Sequence, residues 1–146
     1  MMSRPTYRAA SASDLSAIGA LLQASKLPLE GVKDCIDDFI VAESDDAIVG
    51  SVGLERYGDY AILRSAAVSP AVRGGGVGRQ LVERIIDKAK GDGVTEMFLL
   101  TTTAEEYFPK FGFDRVARDS VPAELHVSEQ FRSLCPDTAV VMRKRL

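Results

Sequence analysis

Apolar positions along this chain fall into short runs of strand length, interrupted by two longer stretches with a helical period. TYRAA, residues 6–10, reads as a first strand. In SASDLSAIGALLQAS the period changes: Leu15, Ile18, Leu21 and Leu22 fall on one helical face, with Ser13 or Ser11 as N-cap. KLPLEGVKDCI carries a proline and a glycine and predicts a loop with one helical turn. FIVAES, the pair Asp45-Asp46 and AIVGSVGLER predict a hairpin, and Gly58-Asp59 turns the chain into a third consecutive strand, YAILRSAAV. RQLVERIIDKAK is a second periodic helix, MFLLTT (97–102) a buried strand, AEEYFPKF a short amphipathic segment before GFDRVA, and TAVVMRKRL a last strand. No repeat or low-complexity tract interrupts this mixed α/β order.

The second helix opens on RGGGVG, residues 73–78, four of whose six positions are glycine. Glycine admits positive φ and close approach of a ligand, and a helix start offers unpaired N–H groups with partial positive charge. Together they predict an anion cradle, with phosphate as its natural guest. A nucleoside-triphosphate loop needs Gly-Lys-Ser/Thr, whereas Gly78 is followed by Arg79-Gln80. The dinucleotide fingerprint needs G-x-G-x-x-G inside a parallel βαβ unit, and GGGVGR has the wrong spacing after a strand in an antiparallel meander. A tight turn alone would use four glycines poorly.

Composition narrows the class. The 146 residues fit one domain, expected to span 1–146, and 46% apolar with 27% charged residues is the balance of an ordinary globular protein. A net charge of −3 without a basic cluster argues against nucleic acid as partner. No apolar run reaches about 18 residues and no signal-peptide pattern is visible, so neither a membrane partner nor secretion is expected. Cys35 and Cys135 match no metal spacing, which predicts no metal and suits a reducing cytoplasm.

AAVSPAVRGGGVGRQLVERI resembles the GNAT superfamily of N-acetyltransferases, whose signature is Arg/Gln-x-x-Gly-x-Gly/Ala after a strand ending in apolar-Val-x-Pro; Arg73, Gly76 and Gly78 match it position by position. AEEYFPKFGF looks like the family's second motif, a short helix ending in aromatic-x-x-Gly-Phe, with Gly112 and Phe113 in place. The resemblance covers essentially the whole chain and implies the GNAT fold: an α/β (α+β) domain with a mixed, mostly antiparallel sheet of six to seven strands, splayed between strands 4 and 5 and flanked by helices. LTTTAEEYF, DSVP and SLCPDTAVVMRKRL are similar to the acetyltransferase module of N-acetylglutamate synthases and to the stand-alone arsenic-resistance N-acetyltransferases. That likeness implies a small, amino-acid-like amine as acceptor, with arsenic resistance as one context.

By resemblance, the amides of Gly74, Gly76, Val77, Gly78 and Arg79 hold the pyrophosphate of acetyl-coenzyme A, with the Arg73 and Arg79 side chains adding charge. Strand LRSAAV, including Ala67 and Val68, takes the pantetheine arm, and the Ala66 N–H is the oxyanion donor. The family's acid, the Tyr of Ala-x-x-x-Tyr, falls on Phe108, which has no proton to give. Tyr107 lies about 100° away around a helix. The thiolate then leaves unaided or through water, or takes a proton from Thr101, Thr102 or Thr103, of which Thr102 is the chosen candidate. Glu55 is the candidate base, a solvated strand-end carboxylate being its plainer reading. His126, the only histidine, reads as a surface residue, and Cys135 as a buried structural thiol.

Strand alternation puts Ile62, Arg64, Ala66 and Val68 on one side, which points Arg64 toward the acceptor. Its guanidinium suits a carboxylate, phosphonate or arsonate, or a structural pair with an internal Asp or Glu. A non-catalytic acyl-coenzyme A sensor, a peptide acceptor and a homodimer remain open.

Overall fold

Asp45 and Asp46 both adopt left-handed backbone (φ 52° and 65°) in the computed structural model, which describes residues 4–72, 74–128 and 139–146. Two successive positive φ values make the two-residue turn whose twist matches that of the flanking strands. It joins β2 (Phe39–Ser44) to β3 (Ala47–Tyr57), and Gly58, at φ 63°, turns β3 into β4 (Tyr60–Val68). β1 (Thr6–Ala9) lies antiparallel to β2, with Thr6 opposite Glu43 and Ala9 opposite Ile40. The remaining strands are β5 (Glu96–Thr101), β6 (Asp114–Val116) and β7 (Val140–Arg145), and the seven form a sheet of order β1-β2-β3-β4-β5-β7-β6.

β4 and β5 run parallel, so their connection must cross back over the sheet, and a helix of 15 residues, Val77–Gly91, makes that crossing. It is called α2, after α1 (Leu15–Ala24). The parallel ladder pairs Tyr60, Ala61 and Ile62 with Glu96, Met97 and Phe98, although β4 runs on to Val68 and β5 to Thr101. The expected mixed sheet flanked by helices is present, with seven strands.

The chain divides into two compact units, Met1–Leu54 with Ser65–Asp87, and Glu55–Arg64 with Lys88–Leu146. In the first, Ile18 and Leu22 of α1 are fully buried against Val32, Ile36, Phe39, Val41 and Ala67. The entry to α1 is tied down by charge. Ser11 heads a one-turn 3-10 segment, Ala12–Asp14, in a capping box, with its N–H donating to Asp14 Oδ2 at 2.9 Å. Arg8 of β1 grips the same carboxylate with two bonds, 2.8 and 3.0 Å. These hydrogen bonds, the Arg8 pair foremost, hold the Asp14 carboxyl well below its usual range, at about 2.

In the second unit, β5 pairs antiparallel with β7, and β7 with β6. Ile62, Phe98, Val121, Leu125 and Val141 make its core. Val121 and Leu125 come from a stretch without helical or strand period, where Arg118–Ser120 and Ala123–Val127 form short 3-10 turns.

Candidate active site

Three of the loop glycines preceding or opening α2 differ in what they do. Gly74 and Gly76 adopt positive φ (89° and 84°), and a β-carbon built on either would meet nothing within 4 Å. The glycines therefore serve backbone direction and leave space above the loop rather than relieving a packing clash. The Gly75 N–H is bonded to Val72 O at 3.3 Å, whereas Gln80 N donates to Gly76 O at 3.0 Å as an early bond of the helical ladder. The amides of Gly76, Val77, Gly78 and Arg79 lie upstream of that bond, at the electropositive end of a long helix. An open, positively polarised cradle of this kind fits a pyrophosphate.

A glycine the sequence reading missed seats this helix. A β-carbon on Gly50 of β3 would lie 2.8 Å from Leu81 Cδ1 and 3.1 Å from Val77 Cγ1, so its absence lets the first turns of α2 settle onto the strand. Arg79 is exposed and pairs with Glu83 at 3.2 Å. Arg73 lies outside the described residues.

β4 is irregular at its centre. Ser65 adopts φ 58°, a left-handed conformation that costs a non-glycine residue about 1–2 kcal/mol. Arg64 and Ser65 are buried, Ala66 is exposed, Ala67 is buried and Val68 half-buried. The period of two is broken at Ser65, so alternation no longer licenses a shared face for Arg64 and Ala66. Ser51 of β3, fully buried, donates its hydroxyl to Ser65 O at 2.8 Å.

Glu55 and Arg64, read from the sequence as separate candidates, meet. Arg64 Nη1 donates to Glu55 Oε2 at 2.7 Å, with side chains only 2% and 12% exposed. Oε1 of the same carboxylate accepts the Tyr57 hydroxyl at 2.7 Å and the Ser128 hydroxyl at 2.6 Å. Glu55 is thus a half-buried carboxylate paired on both oxygens. Three of its four lone-pair sites are engaged among the described residues, leaving one on Oε2 for a proton or a water. Tyr57, two residues along the same strand, is the partner that alternation could have found. Ser128 is 73 positions away, and no pattern in the sequence links it to Glu55.

The loop after β5 holds the remaining candidates. Thr101 Oγ1 accepts the N–H groups of Ala104 (2.9 Å) and Thr103 (3.3 Å), shaping the turn, while Thr102 is exposed. Thr102, Thr103, Ala104, Glu105, Glu106 and Tyr107 line a depression of about 480 Å³. Phe108, at the family's tyrosine position, is buried edge-on against Phe113 and Tyr107. The Tyr107 ring is half-buried, packs on Phe111 and carries Lys110 Nζ 4.0 Å above its centroid. His126 is exposed in the Ala123–Val127 turn. Cys135 lies outside the described residues.

The acetyltransferase (GNAT) domain family matches residues 36–115, more than half of the chain. The amino-acid acetyltransferase of Mycobacterium tuberculosis is 33% identical over 132 residues, covering 84% of this chain and 75% of that protein. The amino-acid acetyltransferase of Neisseria meningitidis serogroup A is 34% identical over 106 residues, covering 71% of this chain. The matched region is 24% of that relative, so the chain spans about a quarter of its length. Among solved structures, the N-acetylglutamate synthase of Neisseria gonorrhoeae in complex with coenzyme A and N-acetyl-glutamate superposes with a TM-score of 0.84 at 29% identity, over 99% of this chain and 35% of that one. A Mycobacterium tuberculosis protein solved with CoA gives 0.80 at 26% identity, over 97% and 99%. With its glycine-opened helix, its β4–α2–β5 crossing and these matches, the chain belongs to the GNAT acetyltransferase family.

Proposed function

We propose that this chain is a single catalytic domain, residues 1–146, that transfers the acetyl group of acetyl-coenzyme A to the primary amine of a small amino-acid-like substrate. The observation that carries this reading is the cradle at α2, where positive-φ glycines leave open space beneath a row of helix amides. The names of the relatives, amino-acid acetyltransferases, support the acceptor class. Gly74, Gly76, Val77, Gly78 and Arg79 hold the pyrophosphate through their amides, and Ala67 and Val68 take the pantetheine arm. The amine nitrogen attacks the thioester carbon, and the developing oxyanion accepts the Ala66 N–H. The C–S bond then breaks and the coenzyme leaves as a thiolate. Glu55 takes the proton released by the ammonium through its remaining lone pair, directly or by a water. The thiolate is stable enough to leave unaided, or is protonated by Thr102.

Arg64 has two readings. In the first it binds the acidic group of the acceptor. In the second, which the 2.7 Å pair favours, it holds Glu55 in place. The deciding experiment assays amino acids against their carboxamides with wild type, Arg64→Lys and Arg64→Met. If Arg64 reads the anion, wild type prefers the acid, and Arg64→Met loses about 10- to 150-fold in efficiency on the acid alone. If it positions Glu55, acid and amide fall together, chiefly in kcat, and Arg64→Lys recovers part of the loss. An Arg64→Met enzyme that keeps wild-type kinetics on both would remove Arg64 from either role.

A further inference from the structure

Ser51 is out of keeping with its strand. From Val49 to Leu54 every residue of β3 is buried, and Ser51 alone among these six carries a polar side chain, 0% exposed. A buried hydroxyl needs a partner, and this one donates to the carbonyl oxygen of Ser65 at 2.8 Å. That oxygen belongs to the peptide group joining Ser65 to Ala66. The group is planar and trans, so its C=O and N–H point in opposite directions, and fixing one fixes the other. The N–H is that of Ala66.

We infer that Ser51 is a positioning residue for the oxyanion-binding peptide, aiming and polarising the Ala66 N–H through the Ser65 carbonyl. The inference rests on the proposed role of Ala66. Three features converge on this peptide. Ser65 is held in left-handed backbone inside a strand, a conformation that serine does not favour and that the surroundings must enforce. Ala66 is exposed between two buried residues, and with the Ser65 carbonyl bonded to Ser51 of β3 the N–H of the same trans peptide points away from that hydroxyl. The hydroxyl also withdraws electron density from the carbonyl it binds, which strengthens the N–H of the same amide as a donor. A serine at this buried place, on the strand next to β4, is therefore matched to the left-handed residue Ser65 and not to the core around it.

The test reads the bound thioester directly. Acetyl-coenzyme A labelled with carbon-13 at the acetyl carbonyl is bound to wild type, Ser51→Ala, Ser51→Cys and Ser51→Thr, and its carbonyl stretch is recorded by difference infrared spectroscopy beside kcat and KM. Removing a whole oxyanion donor costs about 10²- to 10³-fold in kcat, so misdirecting one should cost less, about tenfold. In wild type the bound carbonyl absorbs at lower frequency than in water. Ser51→Ala moves it back toward the value in water and lowers kcat about tenfold at unchanged KM for acetyl-coenzyme A; Ser51→Thr, which keeps the hydroxyl, stays near wild type. Ser51→Ala with wild-type frequency and kcat within twofold overturns the inference. Should Ser51→Ala not fold, the weak thiol donor of Ser51→Cys must give an intermediate frequency, and an unshifted one overturns the inference equally. A wild-type complex with no lowering of the carbonyl frequency instead refutes the role of Ala66, and failure to bind acetyl-coenzyme A refutes the proposed function itself.

Discussion

Gly76 concentrates the chemistry of the coenzyme loop in one position: φ 84°, open space where a side chain would start, and the carbonyl on which the α2 ladder begins. Gly76→Asp adds both strain and a negative charge in the cradle. It should weaken acetyl-coenzyme A binding by about 10- to 150-fold, the worth of lost charge-assisted bonds. Gly76→Ala carries at least as much strain without the charge and should lose clearly less. Isothermal calorimetry on both separates the terms, and equal losses would mean that backbone strain, not anion recognition, sets the affinity. The backbone conformation of Gly76 was legible because glycine spacing before a periodic helix has a physical meaning that no tertiary contact is needed to supply. Arg64 was legible only in part. A structural pair with an internal Asp or Glu was one of two readings open from sequence, but Glu55 was not singled out as that partner, and the face of Arg64 was inferred from alternation, which a positive φ at Ser65 breaks. Nothing in a serine announces left-handed backbone. The bond from Ser128 to Glu55 could not be foreseen at all, because it depends on where a turn without regular period comes to rest.

Elements were read with more success than their neighbours in the sheet. Both tight turns, Asp45-Asp46 and Gly58-Asp59, carry residues that tolerate positive φ, so the β2–β3–β4 meander follows from local chemistry. The insertion of β7 between β5 and β6 does not, since strand order is set by which apolar faces meet. The start of α1 gives a prediction at this scale. Asp14 has a side chain 8% exposed, gripped by Arg8 and the Ser11 N–H, with its carboxyl at about 2 when folded against a usual value near 3.8. The folded state therefore binds that proton less readily than the unfolded state. Its stabilisation is fully present above about pH 4 and is lost as pH falls toward 2. Arg8 is 39% exposed, so solvent screening reduces the contribution to about 1–2 kcal/mol. Urea midpoints of wild type and Asp14→Asn at pH 7 and pH 3 check this: the gap between the two proteins should be wide at pH 7 and narrow at pH 3. A gap that does not shrink would show that Asp14 acts through packing or capping rather than charge.

At the scale of the whole molecule, the family follows from the match over residues 36–115 and from a seven-stranded mixed sheet, while the proposed reaction rests on the loop at α2 and on the left-handed backbone at Ser65 in β4. Phe108 in place of the family's tyrosine sharpens what must be tested, because a chain without that acid is either an enzyme whose thiolate leaves without it or a domain that binds acyl-coenzyme A and goes no further. Its buried ring, packed against Phe113, places no hydroxyl there. The direct measurement is release of coenzyme A thiol from acetyl-coenzyme A across a panel of free amino acids, their carboxamides and a short peptide, with the N-acetylated product identified by mass spectrometry. The account predicts saturable turnover with at least one free amino acid, an N-acetyl product in equal amount to the thiol, and little turnover of the peptide. Tight binding of acetyl-coenzyme A with no turnover of any amine would contradict it and leave a coenzyme-binding sensor, and preferential acetylation of the peptide would contradict the small-acceptor assignment.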